Sequence, residues 1–231
     1  MPTFSTFNTF GSASNEVGQS HVPVWLDFVG PVPVGGTLDK AYAKKGFFLG
    51  AGAPVNLTDK IIKPFFAWEV VSFTAAVSPA TDDVIVIKDM NGAVPAAGDF
   101  IQKVGASFSA TGKAAEVISA NLITSGENAG YYEVKVLHSA TIDSVNEGDV
   151  IALSSAAAAG SSKSLANQPN GYLYNDIYFG DLEGDADSYT IAATGAVVMY
   201  HHGGLLVELT PSAPVKAQMK AAVPGVLQVL V

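Results

Sequence analysis

Cysteine is missing from this chain, and with it go a disulfide framework, a thiolate metal centre and a thiol nucleophile. Arginine is missing too: all twelve basic residues are lysine. The guanidinium fork is the preferred tool for recognising phosphate and carboxylate, so that mode of recognition is lost. The lysines stand against 21 Asp and Glu, for a net charge of −9. Neutralising a nucleic-acid backbone needs clustered cations, and this balance argues against DNA or RNA as a partner. No apolar run reaches the ~18 residues that a bilayer-crossing segment requires, so no membrane partner is expected. Residues 1–20 have neither a basic start nor a continuous apolar stretch, and they do not read as a secretory signal. The expected place of assembly is therefore a cytoplasm, from which an assembled particle could still leave.

Apolar residues make up 48% of the chain, enough for a sizeable core at this length. The 23 glycines and 12 prolines favour turns and short strands over long helices. Residues 1–20 are polar, with Phe4, Phe7 and Phe10 spaced three apart. Two readings stay open for them: a frayed terminus, or an extended arm whose aromatic anchors dock on a neighbouring subunit. Residues 21–75 read as strand, turn and strand, and IIKPFFAWEVVSF (61–73) is a dense apolar run expected to be one buried strand with Trp68 in the core.

Residues 76–160 differ in charge. They hold four Lys against ten Asp and Glu, whereas residues 1–75 hold five against five. A Gly-Asp-apolar-Ile pattern recurs at 98–101 and 148–151, and Gly-Asp before an apolar strand is turn punctuation, not chemistry. SPATDD and SSAAAAGSSKS flank this stretch as expected linkers. An acidic β domain over 76–160, inserted into a discontinuous domain made of 21–75 and 165–231, fits the shift. Near the end, VKAQMKAA reads as a short helix capped by Thr210 or Ser212 and stopped by Pro224-Gly225, with VLQVLV as a final strand.

No catalytic set converges, so no enzyme and no cofactor are expected. His201-His202 form an expected tight corner with Gly203-Gly204; adjacent histidines in an extended segment point to opposite faces and cannot share one metal. Asp181, Glu183, Asp185 and Asp187 alternate like the start of a calcium loop. An EF-hand needs Gly at the sixth position and Glu at the twelfth, and here Ala186 and Ala192 stand there. A looser surface calcium site and a solvated acidic turn are left. Asp82-Asp83 read as a charged turn. No phosphate-binding Gly-Lys-Ser/Thr loop and no Gly-x-Ser-x-Gly elbow occurs.

Two segments carry a resemblance. Gly50 to Pro64, GAGAPVNLTDKIIKP, is a Gly-x-Pro-Val turn feeding a short strand. Asn170 to Glu208 starts with Asn170-Gly171-Tyr172-Leu173 and contains apolar strand patterns at 189–193 and 196–200. This order resembles the small β-rich decoration proteins that coat tailed-phage capsids, in which a Gly-x-Pro-Val segment opens the fold, an Asn-Gly-apolar-Leu segment follows, and a buried Ala-Val-Val strand comes next. A helix followed by a terminal strand is also similar to that family.

The resemblance implies a mainly β protein: a small β-barrel or sandwich domain of decoration type, an inserted second β-barrel, and one short C-terminal helix. It implies a virion structural protein on the outer capsid surface, assembled in the host bacterial cytoplasm. The major capsid protein would be the partner, docked through Phe4, Phe7, Phe10 and Trp25. The alternative is a head-fibre or fibre-base protein, for which a homotrimer and contacts with other head-fibre or auxiliary proteins stay open. Its Tyr131-Tyr132, or Tyr172, Tyr174 and Tyr178, would stack on host-surface glycans.

Overall fold

The computed structural model describes residues 25–31, 36–42, 48–49, 52–76, 82–88, 93–138, 142, 145–173, 177–178, 199–205, 213–224 and 226–228. The chain opens with β1 (Trp25–Pro31), β2 (Thr37–Leu38), β3 (Phe48–Leu49), β4 (Pro54–Thr58) and β5 (Ile61–Pro64). It continues through β6 (Ala67–Thr74), β7 (Asp83–Ile87), β8 (Phe100–Lys103), β9 (Gly112–Lys113), β10 (Ala115–Leu122), β11 (Tyr132–Val136), β12 (Val150–Leu153) and β13 (Ser162–Lys163). It closes with β14 (Gly171–Leu173), β15 (Ile177–Tyr178), β16 (Met199–Leu205), the helix α1 (Ala213–Ala222) and β17 (Val226–Gln228). Among the described residues the protein is mainly β, in keeping with its turn-rich composition, with one closed barrel and one short C-terminal α-helix.

Two compact units divide the chain: residues 1–64, 169–209 and 219–231 form the first, and 65–168 with 210–218 the second. The first is organised on a sheet in the order β1-β16-β14-β4-β5-β2, with β17 added on β16. β2 runs parallel to β5 and β17 parallel to β16, and the other pairs are antiparallel. β4 and β5 form a tight hairpin with Thr58 opposite Ile61. Its two loop residues, Asp59 (φ 52°) and Lys60 (φ 63°), both sit in the left-handed region. A two-residue loop with both φ positive has the twist that continues into a β-hairpin, so two non-glycine residues accept strain to make it. Gly36 lies against this hairpin so closely that a Cβ there would stand 2.6 Å from Leu57 Cδ1.

The second unit is a closed antiparallel barrel in the order β10-β11-β7-β6-β12-β8. Period-two alternation fills it: Trp68 and Val70 from β6, Ile85 and Ile87 from β7, and Val134 and Val136 from β11 all enter one core. Trp68 is 1% exposed, and its indole N–H donates to Ala93 O at 2.7 Å.

One corner recurs four times. In residues 96–99, 128–131, 146–149 and 158–161 the last N–H donates to the first carbonyl at 3.0–3.3 Å, and the third residue is glycine. That glycine and its successor then face a single residue across the ladder. Gly98 N–H donates to Val117 O while Val117 N–H donates to Asp99 O, both at 2.8 Å. Gly148 and Asp149 treat Val70 in the same way, Gly130 and Tyr131 treat Ile123, and Gly160 and Ser161 treat Ala114. This is a β-bulge opened by a left-handed glycine, with φ of 87° at Gly98 and 81° at Gly148. The repeated Gly-Asp is thus punctuation, and each aspartate adds a bond: Asp99 accepts the Ala96 N–H and Asp149 the Asn146 N–H, both at 2.7 Å.

Three expectations change. The run 61–73 is two strands, not one: β5 ends at Pro64, which has no N–H to donate, and β6 pairs with β7 and β12 in the barrel. The expected exit linker is ordered, because its small residues fit the 158–161 corner; β13 pairs with β9, and Ser154 bridges Leu165. His201-His202-Gly203-Gly204 make no corner. They lie inside β16, where Gly203 and Gly204 pair with β1 on one side and β17 on the other.

α1 buries Val215 and Met219, and Val223 just past its end continues the stripe at i, i+4 and i+8. Lys220 in the last turn complements the helix dipole. Among the described residues no helix is long and apolar enough to cross a membrane.

Candidate functional site

The segments Gly52–Val55 and Asn170–Leu173 are far apart in sequence and adjacent in space. β4 and β14 pair antiparallel, with Gly171 opposite Val55 and Tyr172 opposite Pro54. Leu173 N–H donates to Ala53 O at 2.9 Å, and Gly52 N–H donates to Leu173 O at 2.7 Å. Pro54 is tolerated because proline is accepted at the first position of a strand. Asn170 then extends the ladder with its side chain: Oδ1 accepts the Leu57 N–H at 2.8 Å and Nδ2 donates to Leu57 O at 2.9 Å. A carboxamide thus stands in for a peptide unit of a further strand. Tyr172 and Leu173 are both fully buried at this junction.

Of the candidate docking residues, Trp25 opens β1 with its backbone opposite Leu205 of β16. Phe4, Phe7 and Phe10 lie outside the described residues, as do Asp181, Glu183, Asp185 and Asp187 of the candidate calcium loop. The candidate glycan platform loses a member, since Tyr172 is 0% exposed and has no face to offer a sugar. Tyr132 packs partly buried against the barrel core.

A polar pair went unread in the sequence. Asp83 is the first residue of β7, not part of a charged turn, and its side chain is buried in phase with Ile85 and Ile87. Its Oδ1 accepts the Ala76 N–H at 2.7 Å and lies 2.7 Å from His138 Nδ1. A buried carboxylate held by two partners ties the end of β6, the start of β7 and the end of β11 together. The alternation Asp-Val-Ile-Val-Ile was the available signal, because it puts Asp83 on the core face. Among the described residues no group of three or more His, Asp or Glu forms a metal site.

The other charged groups brace strands. Lys103 Nζ lies 2.7 Å from Asp149 Oδ2 across β8 and the corner before β12. Partial burial pushes the Asp149 carboxyl up, but the Lys103 hydrogen bond and the Asn146 N–H outweigh it and hold it below the usual aspartate range. Lys88 donates to Glu69, and that bond raises the Lys88 ammonium above its usual range against the opposing effect of burial. Gln102 is fully buried; its Oε1 accepts the Ser154 hydroxyl, and its Nε2 has no hydrogen-bond partner among the described residues.

Comparison with family models, with curated proteins and with solved structures finds no match to this chain.

Proposed function

We propose that this chain is a virion structural protein, an auxiliary or decoration protein on the outer surface of a tailed-phage head. It would be assembled in the host bacterial cytoplasm and bridge neighbouring copies of the major capsid protein. The observation that carries this reading is the β4–β14 pair: the Gly-x-Pro-Val and Asn-Gly-apolar-Leu segments, on which the resemblance rests, lie side by side as neighbouring strands of one sheet. The Arg-free, acidic composition supports a place away from packaged DNA. Engaged polar side chains, such as the pairs Asp83–His138 and Lys103–Asp149, suit a scaffold whose work is done by its surface.

Charge divides differently between the compact units than along the chain. The first unit holds six Lys against ten Asp and Glu, and the second holds six against eleven. Acidity is therefore shared, because residues 176–187 belong to the first unit, and charge alone does not choose the docking face. Specificity would rest on apolar anchors, of which Phe4, Phe7, Phe10 and Trp25 are the proposed set. An interface of standard size buries ~1,600 Å² in total, and repetition over many capsid sites adds avidity.

Co-sedimentation with capsids tests the reading. The full chain is expected to pellet with them, and a variant lacking residues 1–12 is expected to stay folded and remain in the supernatant. Full-length protein that never pellets with capsids and binds on a glycan array instead would favour the fibre reading.

A further inference from the structure

Among the described residues, part of one edge of β10 has no partner strand. One side pairs with β11 along its length, from Val117 opposite Val136 to Leu122 opposite Tyr132. The other side pairs with β8 only at Ala115 and Glu116, after which Val117 closes on the Gly98–Asp99 corner. From Ile118 to Leu122 no strand among the described residues pairs with that second side. Ile123 bonds to Tyr131 and Gly130 on the β11 side. Antiparallel strands alternate between bonded and non-bonded pairs, so Ala120 and Leu122 turn their N–H and C=O groups outward.

This edge lacks the charge and proline that commonly protect sheet edges. Edge strands are ordinarily blunted by lysine, proline or inward charge; Ile118 to Leu122 contains none of these. The bulge in β10, between Val117 and Ser119, falls where the β8 pairing ends and leaves the following residues extended. Ile118 is 41% exposed and Leu122 52%. No charged residue occurs between Glu116 and Glu127, in a chain of net charge −9.

We infer that the Ile118–Leu122 edge pairs antiparallel with the same edge of a second copy of this chain, about a two-fold axis at Ala120. Charge and symmetry identify the occupant. Two acidic copies repel wherever carboxylates face each other, and they can approach closely along an uncharged strand. Around the axis Ala120 meets Ala120 of the second copy, exchanging both backbone hydrogen bonds across two small side chains. Leu122 then meets Ile118 of the second copy, and Ile118 meets its Leu122. The edge is complementary to itself, as a two-fold interface must be. This pairing does not depend on the capsid reading.

The test combines mass with amide exchange on the full chain. Sedimentation over a concentration series should show a monomer–dimer equilibrium, with the Ala120 and Leu122 amides gaining protection as dimer forms. Leu122→Lys, at an exposed position, should weaken dimerisation by more than about tenfold because it brings in a desolvated charge. Ala120→Pro should abolish it by removing an outward N–H. In a Trp25→Phe background both variants should keep the Trp68 unfolding transition; if Ala120→Pro loses it, Leu122→Lys alone decides. A monomer at every concentration would overturn the inference. So would a trimer, a dimer insensitive to Leu122→Lys, or Ala120 protection that is already complete in the monomer, which would mean that another segment of the same chain covers the edge.

Discussion

Replacing Asn170 with alanine should loosen the first unit and leave the barrel alone. The substitution removes two hydrogen bonds, at 2.8 and 2.9 Å, between the carboxamide and the Leu57 backbone. The Asn170 N–H bond to Val55 O at 3.0 Å is a backbone bond and survives. Each lost bond is worth about 0.5–1.5 kcal/mol net, and water can replace part of it at an exposed site, so the expected loss is about 1–2 kcal/mol. For a unit of this size that lowers the midpoint by on the order of 4–8 °C. The chain's two tryptophans fall one in each unit, Trp25 in the first and Trp68 in the second. Single-tryptophan parents, Trp68→Phe and Trp25→Phe, therefore report the units separately by fluorescence. Asn170→Ala should shift the Trp25 transition against its own parent and leave the Trp68 transition in place. Asn170→Asp keeps an acceptor for the Leu57 N–H but sets an anion against the Leu57 carbonyl, so near neutral pH it should be no better than alanine. Equal shifts in both reporters, or none in either, would refute the view that Asn170 acts as a local strand mimic.

Two further outcomes follow from local geometry. Lys60→Gly should raise the midpoint of the first unit, because a non-glycine residue at φ 63° carries about 1 kcal/mol of strain that glycine relieves. Thermal melting checks it, and a fall would mean that the lysine side chain supports the hairpin. Because the Asp149 carboxyl is held below its ordinary value of 3.8, its contribution is complete above that value and is lost as pH falls through the folded value. Asp149→Asn should therefore be less stable than the parent near neutral pH and lose less on acidification, as read from denaturant midpoints between about pH 5 and 2.

The mainly β fold and the short terminal helix were legible because their signals are local. Val215, Met219 and Val223 repeat at helical spacing, and Asp83 to Ile87 alternate at strand spacing. The Gly-Asp repeat was legible as a turn, but only half of its instances were. The corners at 128–131 and 158–161 end in Tyr131 and Ser161, so the aspartate that marked the other two was missing. What they share is one glycine in the left-handed region, and many glycines in the chain look alike in sequence. The break within 61–73 was hidden because Phe65 and Phe66 continue the apolar run while the chain passes from sheet to barrel. Hydrophobicity says that a residue is buried, not in which core. The Asp83–His138 pair spans 55 positions, and the free side of β10 is defined by where β8 stops. Both are properties of long-range pairing that no window of sequence contains.

The place where the barrel interrupts the sheet also has a consequence in time. Val55 faces Pro64 on one side and Gly171 on the other, so the chain leaves and rejoins the sheet two strand spacings apart, about 10 Å. During synthesis the β4–β5 hairpin can close at once, while Leu57 waits for Asn170, 113 positions later. Closing so long a flexible loop is an entropic cost borne before any bond rewards it. A barrel that has already folded fixes its own ends and replaces that loop with a rigid span. Slowing the folding of the insert should then delay the sheet's completion.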